Sequence, residues 1–176
     1  MINNVLILDT ETTGLSPHSP HNNKLIEIGA LLYNIEYRVV TQTLSGFLPC
    51  EINDVEHINH IKAEWTRLCN PDWVLDALCD MASGADAIVA HNVPFDKMFM
   101  ETGIAKPHYF WSLPWICTKT DFKWPVPLAR NRLQDICEAM GVPYVKAHRS
   151  LADCQFIVEC FNRVEDLQLR LERCVR

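Results

Sequence analysis

No window of the 176-residue chain approaches the ~18 uninterrupted apolar residues of a membrane-spanning helix, so no transmembrane segment is expected. The start, MINNVLILD, lacks the basic region that opens a secretory signal. It runs straight from an apolar stretch into Asp9 and reads as a strand; a cytoplasmic location follows as the expectation. The eight cysteines include no C-x-x-C pair, which argues against a zinc ribbon or finger. Without a secretory signal they read as reduced thiols, most of them beside apolar neighbours. There is no internal repeat and no low-complexity tract. A net charge of −6 argues against a general nucleic-acid coat. What remains is ordinary globular composition, 48% hydrophobic and 22% charged, at a length that suits one domain over residues 1–176.

Charge is unevenly spread. Residues 106–149 hold seven Lys/Arg against three acids, and the rest of the chain holds nine against nineteen. A basic sector on an acidic body could guide a polyanion to one side; a solvated surface would look the same in sequence. Trp111, Trp115 and Trp124 lie in that sector beside Phe110 and Phe122, where aromatics stack bases or fill a core.

The pattern along the chain predicts a sheet flanked by helices on both faces. Residues 4–10 read as a central buried strand, 16–24 as a polar loop, and 25–34 with 38–48 as a hairpin. Residues 61–82 look helical with a break near Asn70-Pro71, and 87–90 form a short buried strand. Pro94 suits the first turn of a helix reaching about Glu101, with Gly103 ending it. A short strand is expected at 115–118 and a helix through Leu133, Ile136, Cys137 and Met140, closed by Gly141. Residues 150–175 carry one apolar stripe and predict a single long amphipathic helix.

Three short stretches could carry chemistry. Residues two apart on a strand share a face, so Asp9 and Glu11 project together where the first strand ends. Such a pair suits a hard divalent cation, or marks a solvated turn. AHNVPFD (90–96) places Asp96 in the first turn of a helix, where the backbone dipole favours an anion; His91 and Asn92 fit as loop hydrogen-bonding groups. HRSLADC (148–154) puts His148 before the last helix, Ser150 at its N-cap and Asp153 near the third helical position. Asp153 then reads as a capping residue or a third metal ligand. His148 is suited to take a proton from water near neutral pH.

In combination and in this order, D-x-E, H-N-x-x-F-D and H-x-x-x-x-D resemble the DEDDh exonucleases, the DnaQ-like group of the RNase H-like superfamily. The resemblance spans nearly the whole chain. LIEIGALLY (25–33) looks like the family's second strand, and RLQDICEAMGVP (132–143) like the helix before its last motif. PWICTKTDFKWP (114–125) and HRSLADC are most similar to the exonuclease X branch. INHIKAEW (58–65) resembles the family's H-x-I-T segment, with Asn59 where the family often has His and Lys62 where it has Thr.

The resemblance implies an α/β RNase H-like fold with a mixed sheet and a site for two divalent cations, Mg²⁺ or Mn²⁺. Asp9, Glu11, Asp96 and Asp153 would hold them and His148 would be the general base. Paired cations about 4 Å apart clamp both ends of an in-line displacement at phosphorus. Thr12, Thr13, Gly14 and Leu15 would hold the terminal nucleotide, with Leu15 against a base or in the core. Asn92 would help order the site. The implied reaction releases nucleoside 5′-monophosphates from the 3′ end of DNA. The alternatives are an exoribonuclease of the RNase T or oligoribonuclease type, and a nucleic-acid-binding proofreading subunit of a polymerase. DNA is the implied partner, with RNA as its alternative; a DNA polymerase or a second copy of the chain would be the protein partner, with no membrane involved.

Overall fold

The computed structural model describes residues 1–103, 108–145 and 148–175. Five strands form one mixed sheet in the order β3-β2-β1-β4-β5. The strands are β1 (Asn4–Thr12), β2 (Leu25–Asn34), β3 (Val39–Phe47), β4 (Ala87–Ala90) and β5 (Trp115–Cys117). The hairpin β2–β3 and the pair β1–β2 are antiparallel, while β4 lies parallel to β1 and to β5. The helices are α1 (Glu56–Asn59), α2 (Pro71–Ser83), α3 (Val93–Gly103), α4 (His108–Ser112), α5 (Leu133–Ala139), α6 (Ser150–Phe161) and α7 (Leu167–Cys174), with a 3₁₀ turn at Ala63–Arg67.

The period-2 geometry of β1 sorts its side chains into two cores. Val5 and Ile7 join one apolar cluster with Ile157, Phe161 and Leu171; Leu6 and Leu8 join the other with Leu78, Phe99 and Phe110. With both faces covered, β1 is a continuous apolar run, and the first polar pair on the odd face falls where the strand ends. The break at Asn70-Pro71 has its local cause: the Asn70 side chain accepts from the Asp72 amide and Pro71 opens α2. Gly141 takes a left-handed backbone after α5, with φ 69°. Among the described residues no helix is long and apolar enough to cross a membrane. No disulfide joins the eight cysteines.

The single long helix expected over 150–175 is instead two, α6 and α7, with a turn between them. The Arg38 guanidinium donates to the carbonyls of Phe161 (2.7 Å) and Val164 (2.8 Å), and the Tyr33 hydroxyl donates to Asn162 Oδ1 (2.7 Å). Arg38, between β2 and β3, thereby takes up carbonyls that a continuous helix would bond internally, and Tyr33 of β2 holds the side chain of Asn162, the residue that follows α6. The bend lets Ile157, Phe161, Leu167 and Leu171 all enter one core.

The tryptophans of the basic sector pack. Trp124 lies against Phe122 and Phe161, and its indole N–H donates to the Thr118 carbonyl (2.9 Å). Trp111 and Trp115 stack at 6.2 Å beside Phe110. Of the sector's cations, Arg132 is paired with Asp135 and Arg149 with Glu27, whereas Lys106 and Lys146 lie outside the described residues.

Candidate active site

Because β1 and β4 run parallel, their carboxyl ends share one edge of the sheet, where ligands bind in open α/β folds. Asp9 and Glu11 continue the odd face of β1 toward α6, which supplies Asp153 from its first turn. Thr10 continues the even face toward α3. Its hydroxyl donates to Asp96 Oδ1 at 2.7 Å, so the buried Asp96 is held at the strand end from the opposite side. The four acids thus come from three elements that the sheet order brings to one edge.

Burial raises all four carboxyls, and for three of them the charge of neighbouring acids adds to it. Burial and then Asp96, Asp153, Glu11 and Glu27 hold the Asp9 carboxyl well above the usual range. Glu11 is pushed up to about 8, by burial first and then by Glu27 and Asp153. Burial raises Asp96 to about 7 against the opposing hydrogen bond from Thr10, and raises Asp153 to about 6. Like charges at such proximity disfavour one another's ionised form. Asp153 Oδ1 is buried with no hydrogen-bond partner.

An all-carboxylate donor set with an orphaned oxygen suits a hard divalent cation, which would supply the missing positive charge. Among the described residues no three acids, histidines or cysteines are placed so that together they could hold a metal ion. The fit therefore rests on donor chemistry and charge, with the acids assembled along one edge.

His148 lies directly before α6, half-buried, with a left-handed backbone (φ 46°), and its ring stands edge-on to His60 at 6.3 Å. Ser150, expected at the N-cap, is the first residue of α6; Arg149 occupies the cap position, which moves Asp153 one place further along. The capping acceptor comes from elsewhere. Glu27 Oε2 accepts from the Ser150 amide at 3.1 Å and the same carboxylate binds the Arg149 guanidinium. Glu27, opposite Glu11 in the β1–β2 register, was missed in the sequence reading. Its only signal was a single acid inside the apolar run LIEIGALLY.

The segment after β1 is tightly built. Thr12 Oγ1 donates to the Gly14 carbonyl (2.6 Å), and Thr13 Oγ1 accepts from the Lys24 amide (2.8 Å). A Cβ on Gly14 would meet the Asn23 side chain at 2.4 Å, so the glycine allows loop 16–24 to close on this segment. Leu15 is 85% exposed, which removes it from the core. The buried Asn59 donates to the Thr12 carbonyl (3.1 Å), binding the 53–61 segment to the same strand end. Asn92, at φ 89°, opens α3, and its carbonyl accepts from the Phe95 amide. His91 Nδ1 lies 2.9 Å from Thr118 Oγ1 and is driven down to about 4, by burial first and then by Lys119; it is a neutral hydrogen-bonding group.

An acidic edge at the carboxyl ends of strands in a β3-β2-β1-β4-β5 sheet defines a ligand site of an open α/β fold, and comparison with known proteins makes it specific. Residues 6–161 match the RNase_T exonuclease family model, and the chain belongs to that family. It is 28% identical to the DNA polymerase III subunit epsilon of Haemophilus influenzae over 171 residues, covering 90% of this chain and 66% of that one. The chain therefore spans about two thirds of that relative's length. Its fold is that of the nuclease domain of 3′hExo, a DEDDh family member bound to rAMP (TM-score 0.71, 17% identity, 99% of this chain and 96% of that one). Exonuclease X in complex with 5′ overhanging duplex DNA shares it (TM-score 0.69, 18% identity, 97% of each chain). Divalent-metal dependence is a property of this exonuclease family.

Proposed function

We propose that this chain is a 3′→5′ exonuclease that removes nucleoside 5′-monophosphates from DNA ends. The observation that carries the reading is the convergence of Asp9, Glu11, Asp96 and Asp153 on one sheet edge, with His148 at the N-terminus of α6. DNA is favoured because the relative that matches 90% of the chain is a DNA polymerase III subunit. The same relative makes a polymerase the proposed protein partner.

In this reading the four acids bind two divalent cations, Mg²⁺ or Mn²⁺. Bound there, such cations would activate water and stabilise charge on the phosphodiester and the leaving 3′ oxygen. Thr10 fixes Asp96 so that the acids on the two sides of the sheet face one another. His148 takes the proton of the attacking water. Thr12, Thr13 and Gly14 form a braced backbone that receives the terminal nucleotide, and the exposed Leu15 packs against its base. Asn92 sets the entry into α3 and thereby the position of Asp96.

A gel assay tests the reading with 5′-labelled single-stranded DNA, duplex DNA with a 3′ mismatch, and RNA of the same sequence. A ladder shrinking from the 3′ end of DNA is expected. Preferential degradation of RNA would replace the substrate assignment, and retention without cleavage would replace the enzyme with a binding module.

A further inference from the structure

Arg149 lies four residues before Asp153, and an arginine beside a phosphodiester site invites a phosphate-binding role. Its surroundings indicate another. Arg149 Nε donates to Glu27 Oε1 at 2.9 Å and Nη2 donates to the same oxygen at 2.5 Å, while the guanidinium lies over the Phe47 ring at 5.4 Å. Its edge is held by β2 and its face by β3, so the planar group has one orientation. Glu27 is 1% exposed and also accepts from the Ser150 amide. Two residues further along β2, Gly29 lies directly under the first turn of α6: a Cβ there would meet Leu151 N at 2.3 Å. Cys154 Sγ donates to the Gly29 carbonyl (3.4 Å). Gly29 is the register partner of Asp9, and Glu27 that of Glu11.

We infer that Glu27 and Arg149 are a positioning clamp for the reaction. They lock the His148–Ser150 turn and the first turn of α6 onto β2, so that the base and Asp153 are set against Asp9 and Glu11. The clamp also pairs Glu27, which has no place among the metal ligands, with a cation. Arg149 is thereby a positioning residue and does not bind the strand. The left-handed backbone at His148 needs such restraint, because a non-glycine residue there is strained unless its neighbours fix it. The inference rests on the exonuclease reading for its kinetic consequence, but the clamp itself can be observed without catalysis.

The discriminating variant is Glu27→Gln, which frees Arg149 with its charge intact and is buried away from any strand. A clamp predicts a fall in kcat of about 10–100-fold, the scale of a small misplacement of reacting groups, with KM and the salt dependence of binding unchanged. The double variant Glu27→Gln/Arg149→Gln should be no worse than Glu27→Gln alone, since partners in one contact are not additive. Arg149→Lys, which keeps the charge and loses the fork, gives a second arm if Glu27→Gln folds poorly; its kcat should fall with KM unchanged. Hydrogen exchange in the whole chain should be about 10-fold faster at residues 150–153 in each variant. Wild-type kcat in Glu27→Gln, or a raised KM and shallower salt slope in the double variant, would overturn the clamp. Unchanged amide exchange would overturn it even for a chain that cleaved nothing, whereas an inactive wild type with accelerated exchange in the variants would overturn the exonuclease reading alone.

Discussion

Gly29→Ala perturbs the site through backbone contact alone. The added methyl would lie 2.3 Å from Leu151 N, 2.4 Å from Ser150 C and 2.7 Å from Leu151 Cα, all of them backbone atoms of α6 or the residue that opens it. Ordinary contact begins near 3.4 Å. No side-chain rotamer can relieve the overlap, so α6 must move off the sheet by about 1 Å, carrying Asp153 and His148 with it. Overpacking of this sort costs about 3 kcal/mol. For a chain of this length that is a fall in Tm of roughly 6–12 °C. A displacement of about 1 Å at reacting groups costs on the order of 10²-fold in turnover. Thermal unfolding followed by circular dichroism and single-turnover hydrolysis of a labelled oligonucleotide would measure the two effects. A variant with wild-type Tm and wild-type turnover would refute the docking of α6 on Gly29 as the device that sets the site.

Two further outcomes follow from the acids and the base. Glu11, Asp96 and Asp153 are held up to about 8, 7 and 6, so without metal the folded chain keeps protons that the unfolded chain releases near pH 4. The contribution of these three groups to metal-free stability is therefore complete below about pH 4 and is lost as pH rises toward 8; Mg²⁺ should raise Tm more at pH 8 than at pH 5, and a pH-independent metal effect measured by calorimetry would contradict the cluster. His148→Asn keeps a side chain that tolerates the left-handed backbone and removes the base, so turnover should fall by ~10²–10⁴ with the melting temperature little changed; near-normal turnover would take His148 out of that role.

The order of the strands, the helices α2, α3 and α5, and four of the acids were legible because they depend on short-range patterns. The apolar run of β1 requires burial on both faces, and D-x-E at its end shares a face by period alone. Asp96 and Asp153 were readable from helix starts. Three features were not, each for the same physical reason. Glu27 caps α6 across more than a hundred residues, Arg38 takes the carbonyls that end that helix, and Thr10 reaches Asp96 from another element. A cap or a helix stop supplied by a distant side chain leaves no mark at the helix itself. That is why Ser150 read as the N-cap and residues 150–175 as one helix. An apolar residue after a strand fits the core or a base equally well in sequence, and the exposure of Leu15 removes the core.

The requirement that follows for the acids at the end of β1 is that divalent cations be bound among them. It is tested most directly by incubating a 5′-labelled single strand with the chain after exhaustive EDTA treatment, and then with Mg²⁺ or Mn²⁺ restored. No product is expected in EDTA, and a ladder receding from the 3′ end on restoration. Cleavage that persists in EDTA, or internal fragments in place of a 3′ ladder, would contradict it.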